Sequence, residues 1–219
     1  MKKEILNITN CDIFNGHLAS ILNFRQEAIP FREAMMDGEA TSDVYSDDFI
    51  KMRCYALSVS FDEYKSNMLV YDALCNNDYL EITLWFGKDT FCQMNLLTLL
   101  AYLEQIEYSG NIILNYIDDE TFEVVENNIP VKLGIYKELY NDVFICKRLP
   151  QGMGVLYRRA IELYFDYHSN NGKLACLVRD NLYKDGYALV CLLLENSKEY
   201  GLSDLQAKKL IEKQKGEKT

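Results

Sequence analysis

The sequence predicts an α/β fold in which a mostly parallel sheet with flanking helices is followed by a smaller all-helical C-terminal subdomain. Strand-like and helix-like patterns alternate through residues 1–150, which is typical of parallel strands joined by helices. Residues 151–219 contain only helix-like patterns. The charge balance changes at the same point, because residues 1–150 carry 24 acidic and 12 basic side chains and residues 151–219 carry 9 and 11. Pro150 and Gly152 interrupt the chain there, so we predict an α/β domain at 1–150 and a helical subdomain at 151–219.

The first two strands are expected on either side of one helix. An apolar run over residues 5–8 that ends at Asn10 predicts a short buried strand. Apolar side chains at helical spacing predict a helix over residues 13–23. An extended segment follows at residues 28–31. Pro30 within it favours an edge position, because a central strand needs the backbone N–H that proline lacks.

An acidic loop over residues 37–48 separates this unit from the central strands. We expect two helices after the loop, the second beginning at Ser60 with a capping box that satisfies free backbone N–H groups. The clearest strand of the chain spans residues 79–86. The helix predicted over residues 90–107 is apolar on nearly every side and should therefore be buried. Residues 111–117 predict the next strand.

The pattern is weaker in the following segment. Residues 122–133 predict either a hairpin with its turn at residues 127–128 or an irregular loop. Residues 134–147 are expected to be helical. Beyond residue 150 apolar residues recur at helical spacing, and Ser203-Asp204-Leu205-Gln206 caps a last helix.

The composition excludes several classes of protein. The chain is 49% hydrophobic with a net charge of -10, which is typical of a globular, acidic protein. Nucleic acids and anionic membranes carry the same sign of charge, so neither is an expected partner. The first residues lack the apolar run of a signal peptide, and no stretch contains the ~18 uncharged apolar residues that span a bilayer. Seven cysteines without a C-x-x-C pair indicate free thiols in a reducing cytosol, and we therefore expect a cytoplasmic location.

Polar side chains follow each of the predicted parallel strands. In parallel α/β sheets ligands bind outside the carboxyl ends of the strands, so we expect these side chains to gather at one edge. Carboxylates mixed with an arginine suit a polar ligand, such as a phosphate or a metal-bridged anion. The structural alternative is that the acids cap helices or form turns and that the arginine pairs with a neighbouring acid. The residues are Asn10 and Asp12, Arg32 and Glu33, Lys88 and Asp89, and Asp118 and Asp119.

Three parts of the chain resemble one bacterial family. They are Ile8-Thr9-Asn10-Cys11-Asp12, then Ile29-Pro30-Phe31-Arg32-Glu33-Ala34 with Asp37-Gly38, and Leu84-Trp85-Phe86-Gly87-Lys88-Asp89-Thr90-Phe91-Cys92-Gln93-Met94-Asn95-Leu96-Leu97. They are similar to the domain-of-unknown-function family numbered eighteen thirty-five, roughly over residues 4–120, and the C-terminal helices are similar to the helical segment that accompanies this domain. The resemblance implies an architecture without an established activity. Cys11 stands where the family pattern has a glycine, and it is either an inert thiol or, near a helix N-terminus, a reactive thiolate.

The familiar catalytic motifs are missing. No glycine-rich phosphate loop, dinucleotide fingerprint or serine-nucleophile motif occurs in the sequence. Gly152-Met153-Gly154 lacks a third glycine and a preceding strand and is typical of a linker. The two histidines, His17 and His168, have no Cys or His at ligand spacing, so a zinc site is not expected.

The sequence therefore favours a protein that binds a small polar or phosphorylated ligand at the carboxyl ends of its strands, with metal-assisted hydrolysis as the chemistry such a site would support. The alternative is a non-catalytic regulatory or interaction module that binds a protein partner or a second copy of the chain. No particular metal, cofactor or substrate is identified. The expected catalytic residues, as cation ligands or base, are Asp12, Glu33 and Asp89, and the expected ligand-binding residues are Asn10, Arg32 and Gln93.

Overall fold

Five strands form one sheet that is parallel except at one edge. The computed structural model describes residues 3–21, 27–75, 79–118 and 120–216. The strands are β1 (Lys3–Thr9), β2 (Glu27–Pro30), β3 (Tyr79–Phe86), β4 (Asn111–Ile117) and β5 (Val124–Pro130). They lie in the order β2-β1-β3-β4-β5, with β1 to β4 parallel and β5 antiparallel to β4. The predicted α/β class with a mostly parallel sheet is confirmed.

Helices join the strands and continue alone after residue 150. The helices of the first part are α1 (Asp12–Ile21), α2 (Asp47–Leu57), α3 (Phe61–Asn67), α4 (Leu69–Leu74), α5 (Thr90–Gln105) and α6 (Tyr136–Tyr140), which continues as a π-helical turn (Asn141–Ile145). The C-terminal helices are α7 (Arg158–His168), α8 (Lys173–Asp180), α9 (Gly186–Asn196), a short 3₁₀ turn (Lys198–Tyr200) and α10 (Asp204–Gly216). Within the described ranges, none of these helices has the length and apolar character needed to cross a membrane.

The main core lies between one face of the sheet and α5. Side chains alternate along β3, so that Ile82, Leu84 and Phe86 are fully buried on this face. α5 is buried along almost its whole length, in agreement with its apolar pattern, and α6 and α7 pack against it. On the other face Phe14 of α1 packs on Trp85, with 5.9 Å between the ring centroids. Trp85 therefore belongs to a smaller core on the α1 side of the sheet.

The C-terminal helices have a core of their own. It contains Leu163 of α7 and apolar side chains of α8, α9 and α10. On α7, Ile161 and Tyr164 belong instead to the main core. The predicted boundary at residue 150 lies in the irregular segment 146–157 before α7. Because α7 packs on both cores, the division into two domains stays a prediction.

The helix expected after Ser60 is divided into two. Ser60 caps its first turn as predicted, with its side chain accepting from the Glu63 N–H, but the helix ends at Met68 and restarts as α4. Met68 leaves the helical conformation (φ -95°, ψ 46°) and its side chain is buried in the main core. Burial of the Met68 side chain is therefore favoured over the continuous helix that the spacing of apolar residues predicts. Asn23, the predicted end of the first helix, lies outside the described residues.

The hairpin or loop expected around residues 127–128 is replaced by the strand β5. Asn128 has a positive φ of 55°, which is common in turns. Between its pairings with Leu114 and Tyr116 of β4, however, β5 contains one residue more than β4. The asparagine pair therefore forms a β-bulge within a strand, and the chain turns earlier, between β4 and β5.

Candidate functional site

The carboxyl edge of the sheet has a topological switch point between β1 and β3. β1 pairs with β2 on one side and with β3 on the other, so the connections that follow the two strands run in opposite directions. Such a switch point is where open α/β sheets bind ligands. All six site residues predicted from the sequence follow β1, β2 or β3 at this edge.

Asn10 is buried at this switch point and is bonded to α5. Its backbone N–H donates to the Trp85 carbonyl at 3.1 Å, and its side-chain Nδ2 donates to Cys92 Sγ at 2.9 Å. Its Oδ1 accepts from Asn95 Nδ2 at 3.0 Å. Both the nitrogen and the oxygen of the Asn10 side chain are therefore bonded to α5, and they connect the loop after β1 to the first turns of this helix.

Asn95 was not predicted as a site residue, yet it joins three parts of the edge. Its Oδ1 accepts from the Met35 N–H at 3.0 Å, and its Nδ2 donates to the Glu33 carbonyl as well as to Asn10. The side chain is completely buried. Buried amide groups are generally hydrogen-bonded, because an unpaired one costs free energy. An asparagine within the apolar pattern of α5 was thus the signal that could have identified it.

Glu33 forms a fully buried ion pair with Arg53. Arg53 Nε donates to Glu33 Oε1 at 2.9 Å, and the Tyr64 hydroxyl donates to Glu33 Oε2. The other Arg53 donors reach the carbonyls of Ala34 and Asp37. Burial is the largest influence on the pKa of Arg53 and lowers it, but the charge of Glu33, the neighbouring tyrosines and the hydrogen bond to Glu33 together leave that pKa raised. Burial and then the charge of Glu33 raise the pKa of Tyr64. Both donors stay protonated, and Glu33 anchors the loop after β2 within the protein.

Asp12 and Arg32 form an exposed ion pair at the rim of the edge. Arg32 Nη2 lies 2.7 Å and Arg32 Nε 2.9 Å from Asp12 Oδ1. The hydrogen bond to Asp12 raises the pKa of Arg32. The Asp12 side chain is 60% exposed, so both groups remain accessible from solvent. The preceding Cys11 caps α1, because its Sγ accepts from the Phe14 N–H at 3.4 Å.

Asp89 and Gln93 hold the start of α5. Asp89 is the N-cap, and its Oδ1 accepts from the Cys92 N–H at 2.9 Å. Gln93 is fully buried; its Nε2 donates to the Gly87 carbonyl at 2.8 Å and its Oε1 accepts from the Tyr157 N–H at 3.1 Å. Gln93 therefore connects the loop after β3 to the segment that leads into α7.

The remaining polar residues expected at this edge have contacts towards β5. Lys88 pairs with Glu126. Asp118 Oδ1 accepts from the Thr121 N–H at 2.8 Å, and these hydrogen bonds lower the pKa of Asp118. Asp118 therefore organises the turn between β4 and β5. Asp119 lies outside the described residues.

The three predicted catalytic carboxylates do not converge on one point. Asp12 is paired with an exposed arginine, Glu33 with a buried one, and Asp89 with the backbone of α5. Within the described part of the chain, no group of three or more His, Cys, Asp or Glu side chains is arranged to hold a metal ion. Their assignment as catalytic residues stays a prediction.

The C-terminal helices cover the carboxyl edge at the start of α5. Thr90 Oγ1 donates to the Glu199 carbonyl at 3.1 Å, across the two parts of the chain. Arg159 Nη2 lies 3.3 Å from Glu199 Oε2, and Lys198 Nζ lies 2.9 Å from Glu120 Oε1. The 3₁₀ turn thus rests on the N-terminus of α5, where the sequence alone did not place it.

A cleft of about 350 Å³ lies beside this contact, between the loop after β2 and the start of α10. We call it the α10 cleft. Apolar walls with a few polar groups are typical of small-molecule sites. Its main apolar side chains are Leu57, Phe91 and Leu202, and its polar side chains include Asp37, Gln206 and Lys209. None of the six residues predicted from the sequence is among the residues that line the cleft.

Gln206 is buried in the cleft wall with only half of its amide bonded. Its Oε1 accepts from the Ser203 N–H at 3.0 Å and from Ser203 Oγ at 3.2 Å, which completes a capping box. Its Nε2 has no hydrogen-bond partner among the described residues, although Gln206 is only 4% exposed. A buried donor without an acceptor costs about 1–3 kcal/mol. The Ser-x-x-Gln pattern could have indicated this arrangement from the sequence. In a capping box the glutamine side chain accepts through its oxygen, and its side-chain nitrogen takes no part.

Asp37 and Lys209 form a long ion pair between the two walls of the cleft. Lys209 Nζ lies 3.6 Å from Asp37 Oδ2, and the Tyr167 hydroxyl lies 3.4 Å from Asp37 Oδ1. Charge-assisted hydrogen bonds are usually about 2.7–2.9 Å long. Both charged groups therefore retain the capacity to form closer contacts.

Comparison of the chain with family models, curated proteins and solved structures finds no match. The resemblance of residues 4–120 to the domain-of-unknown-function family numbered eighteen thirty-five therefore stays a prediction. The contacts at the carboxyl edge and in the α10 cleft are the basis for the proposals below.

Proposed function

We propose that the protein binds a small polar molecule in the α10 cleft, at the carboxyl edge of its sheet. The observation that carries the proposal is the lining of this cleft of about 350 Å³, which combines the apolar side chains of Leu57, Phe91 and Leu202 with the charged pair Asp37 and Lys209. The cleft also adjoins the edge at which α/β sheets bind their ligands.

Binding without catalysis fits the surrounding residues better than hydrolysis does. Metal-assisted hydrolysis needs carboxylates that converge on one cation. Asp12, Glu33 and Asp89 instead have separate partners within the protein. We therefore assign the binding role to the cleft, and we assign to the buried residues at the switch point the role of fixing its walls.

Titration calorimetry with a panel of small polar metabolites tests this proposal. Ala34→Phe adds a ring to the cleft wall and should weaken binding by more than about tenfold. Ala19→Phe, at an exposed position of α1, makes the same change elsewhere and should leave the affinity unchanged. The proposal is contradicted if no compound of the panel binds. It is also contradicted if a ligand binds Ala34→Phe as tightly as it binds the unaltered protein.

An interaction module is the second candidate, and one surface favours it. Tyr187 is 82% exposed and lines a groove of about 400 Å³ between α9 and α10. Aromatic side chains are enriched at protein interfaces. If a second copy of the chain occupies this groove, sedimentation velocity will show a concentration-dependent dimer that Tyr187→Ser weakens and that Tyr183→Ser, at another exposed tyrosine, does not. A monomer at every concentration contradicts this candidate.

A further inference from the structure

Four charged side chains line the groove of about 400 Å³ between α9 and α10, which we call the α9–α10 groove. They are Asp204, Lys208, Glu212 and Lys215, all on α10. Within the described part of the chain, none of the four forms an ion pair or a side-chain hydrogen bond. The groove also contains Val190, Ile211 and the exposed ring of Tyr187. Its charges are therefore available to a partner molecule.

The four charges alternate in sign along α10. From the N-terminal end of the helix they are acidic at 204, basic at 208, acidic at 212 and basic at 215. Because an α-helix has about 3.6 residues per turn, positions spaced in this way return to nearly the same side of the helix. α10 therefore presents one stripe of alternating charge beside the apolar side chains of the groove.

This stripe is complementary to itself when a second α10 runs in the opposite direction. A two-fold axis makes each contact occur twice, with the roles of the two copies exchanged. Asp204 then faces the second copy's Lys215, and Lys208 faces the second copy's Glu212. The midpoint between positions 204 and 215 and the midpoint between 208 and 212 differ by half a residue, which is less than about 1 Å along the helix. A single register therefore satisfies both kinds of pair.

Other partners fit the stripe less well. A parallel second helix would place Lys208 opposite the same lysine of the second copy and Glu212 opposite the same glutamate, so that like charges would meet. A strongly acidic or strongly basic partner would also meet charges of its own sign, since the stripe contains two acids and two bases. The charge pattern thus favours a second copy of the chain with α10 antiparallel.

Tyr187 supplies apolar surface that association would bury. Its side chain is 82% exposed, and tyrosine is enriched at protein interfaces because it combines a large ring with a polar hydroxyl. Exposed ion pairs add little affinity, but opposite charges fix the orientation of two partners and like charges exclude the wrong one. Tyr187 would therefore determine how tightly the copies associate, and the charged stripe would determine their direction.

We propose that two copies of the chain associate through the α9–α10 groove, with their α10 helices antiparallel about a two-fold axis close to position 210. Lys208 pairs with the second copy's Glu212, and Asp204 pairs with the second copy's Lys215. This inference rests on the second candidate function above and adds to it the direction and the contacts of the association.

Reversal of the charges at the inner pair tests the arrangement. Lys208→Glu brings two acids together at both symmetry-related contacts, and Glu212→Lys brings two bases together. Each variant alone should dimerise at least about tenfold more weakly than the unaltered protein, because attractive contacts become repulsive. An equimolar mixture of the two variants should recover the dimer, since the glutamates of one chain then face the lysines of the other. Sedimentation velocity measures these dissociation constants, and recovery in the mixture also shows that both variants are folded.

A matched control separates a local contact from a general effect of charge. Lys213 is exposed on the same helix but is not among the residues that line the groove. Lys213→Glu makes the same change of charge as Lys208→Glu and should leave the dissociation constant of the dimer unchanged. The double variant Lys208→Glu/Glu212→Lys exchanges the two charges within one chain and should dimerise within about threefold of the unaltered protein.

The outcomes distinguish this inference from the candidate function on which it rests. A dimer that both single variants leave intact, or one that the mixture does not restore, overturns the antiparallel arrangement. If Tyr187→Ser still weakens that dimer, the second candidate function stands and only the arrangement is wrong. A monomer at every concentration overturns both. Ligand binding in the α10 cleft is tested separately, because the cleft and the groove share no lining residue among those described.

Discussion

Gly201 lies against the residue that caps α5: a Cβ atom at position 201 would be 2.2 Å from Asp89 Oδ1. Gly201 also has a φ of +67°, which side chains other than glycine rarely adopt. The C-terminal turn reaches the start of α5 because residue 201 has no side chain. This approach places Leu202 and Gln206 in the wall of the α10 cleft.

Gly201→Ala should destabilise the protein by about 1–3 kcal/mol, because alanine is strained at this φ and its Cβ collides with Asp89. Urea denaturation measures the change in the free energy of unfolding. Gly16→Ala is the control: its new Cβ meets nothing within 4 Å, and alanine stabilises a helix interior by about 0.5–1 kcal/mol. Equal effects of the two substitutions would refute the role of Gly201.

Asn95→Leu should destabilise the protein by at least about 3 kcal/mol. The substitution removes the hydrogen-bond partner of the Met35 N–H, of Asn10 Oδ1 and of the Glu33 carbonyl, all at the carboxyl edge. Thr98→Val removes only a hydroxyl bonded to a carbonyl of its own helix and should cost less than about 1 kcal/mol. Chemical denaturation of both variants checks this order, and a smaller loss for Asn95→Leu would contradict it.

Two buried tyrosines should respond differently to removal of the hydroxyl. Tyr64→Phe leaves Glu33 Oε2 without its donor and should cost about 1.5–3 kcal/mol, the usual value for a hydrogen bond to a charged group. The Tyr71 hydroxyl has no hydrogen-bond partner among the described residues, so Tyr71→Phe removes a buried unpaired group and should stabilise the protein, by up to about 1–3 kcal/mol. Thermal unfolding at neutral pH compares them, and equal losses would show that Tyr64 does not support Glu33.

Stability should fall at alkaline pH because buried tyrosines hold their protons in the folded state. Burial raises the pKa of Tyr71 and of Tyr140 above the value of about 10 expected in the unfolded chain. The folded-state pKa is the higher one, so this stabilisation is fully present below about pH 10 and is lost as the pH rises further. Unfolding free energies measured at successive pH values should decline above about pH 10, and less steeply in Tyr71→Phe. A flat profile in this range would contradict the prediction.

The fold class was predictable because short-range patterns encode most of the strands and helices. The strands predicted at residues 79–86 and 111–117 have the bounds of β3 and β4. β5 was not predictable in the same way. An asparagine in the left-handed backbone conformation occurs both in turns and in β-bulges, and only the pairing with β4 distinguishes the two. The order of the strands likewise depends on contacts between distant parts of the chain.

The candidate site was predictable in its position but not in its contacts. Residues after β1, β2 and β3 do lie at one edge of the sheet, but the sequence does not reveal that Arg53 neutralises Glu33 or that Asn95 bonds Asn10. The α10 cleft was not foreseen at all. Its walls come from the loop after β2 and from the start of α10, which no local pattern connects.

The bulge in β5 also affects how the protein behaves in a concentrated solution. β5 is an edge strand, and Val124 and Val125 are 47% and 53% exposed. A long, flat and apolar edge invites hydrogen bonding with a strand of another molecule, which is a route to aggregation. The extra residue near Asn128 breaks the regular row of backbone N–H and C=O groups and increases the local twist. The bulge that made β5 difficult to predict from the sequence therefore also disfavours pairing of β5 with a strand of another molecule.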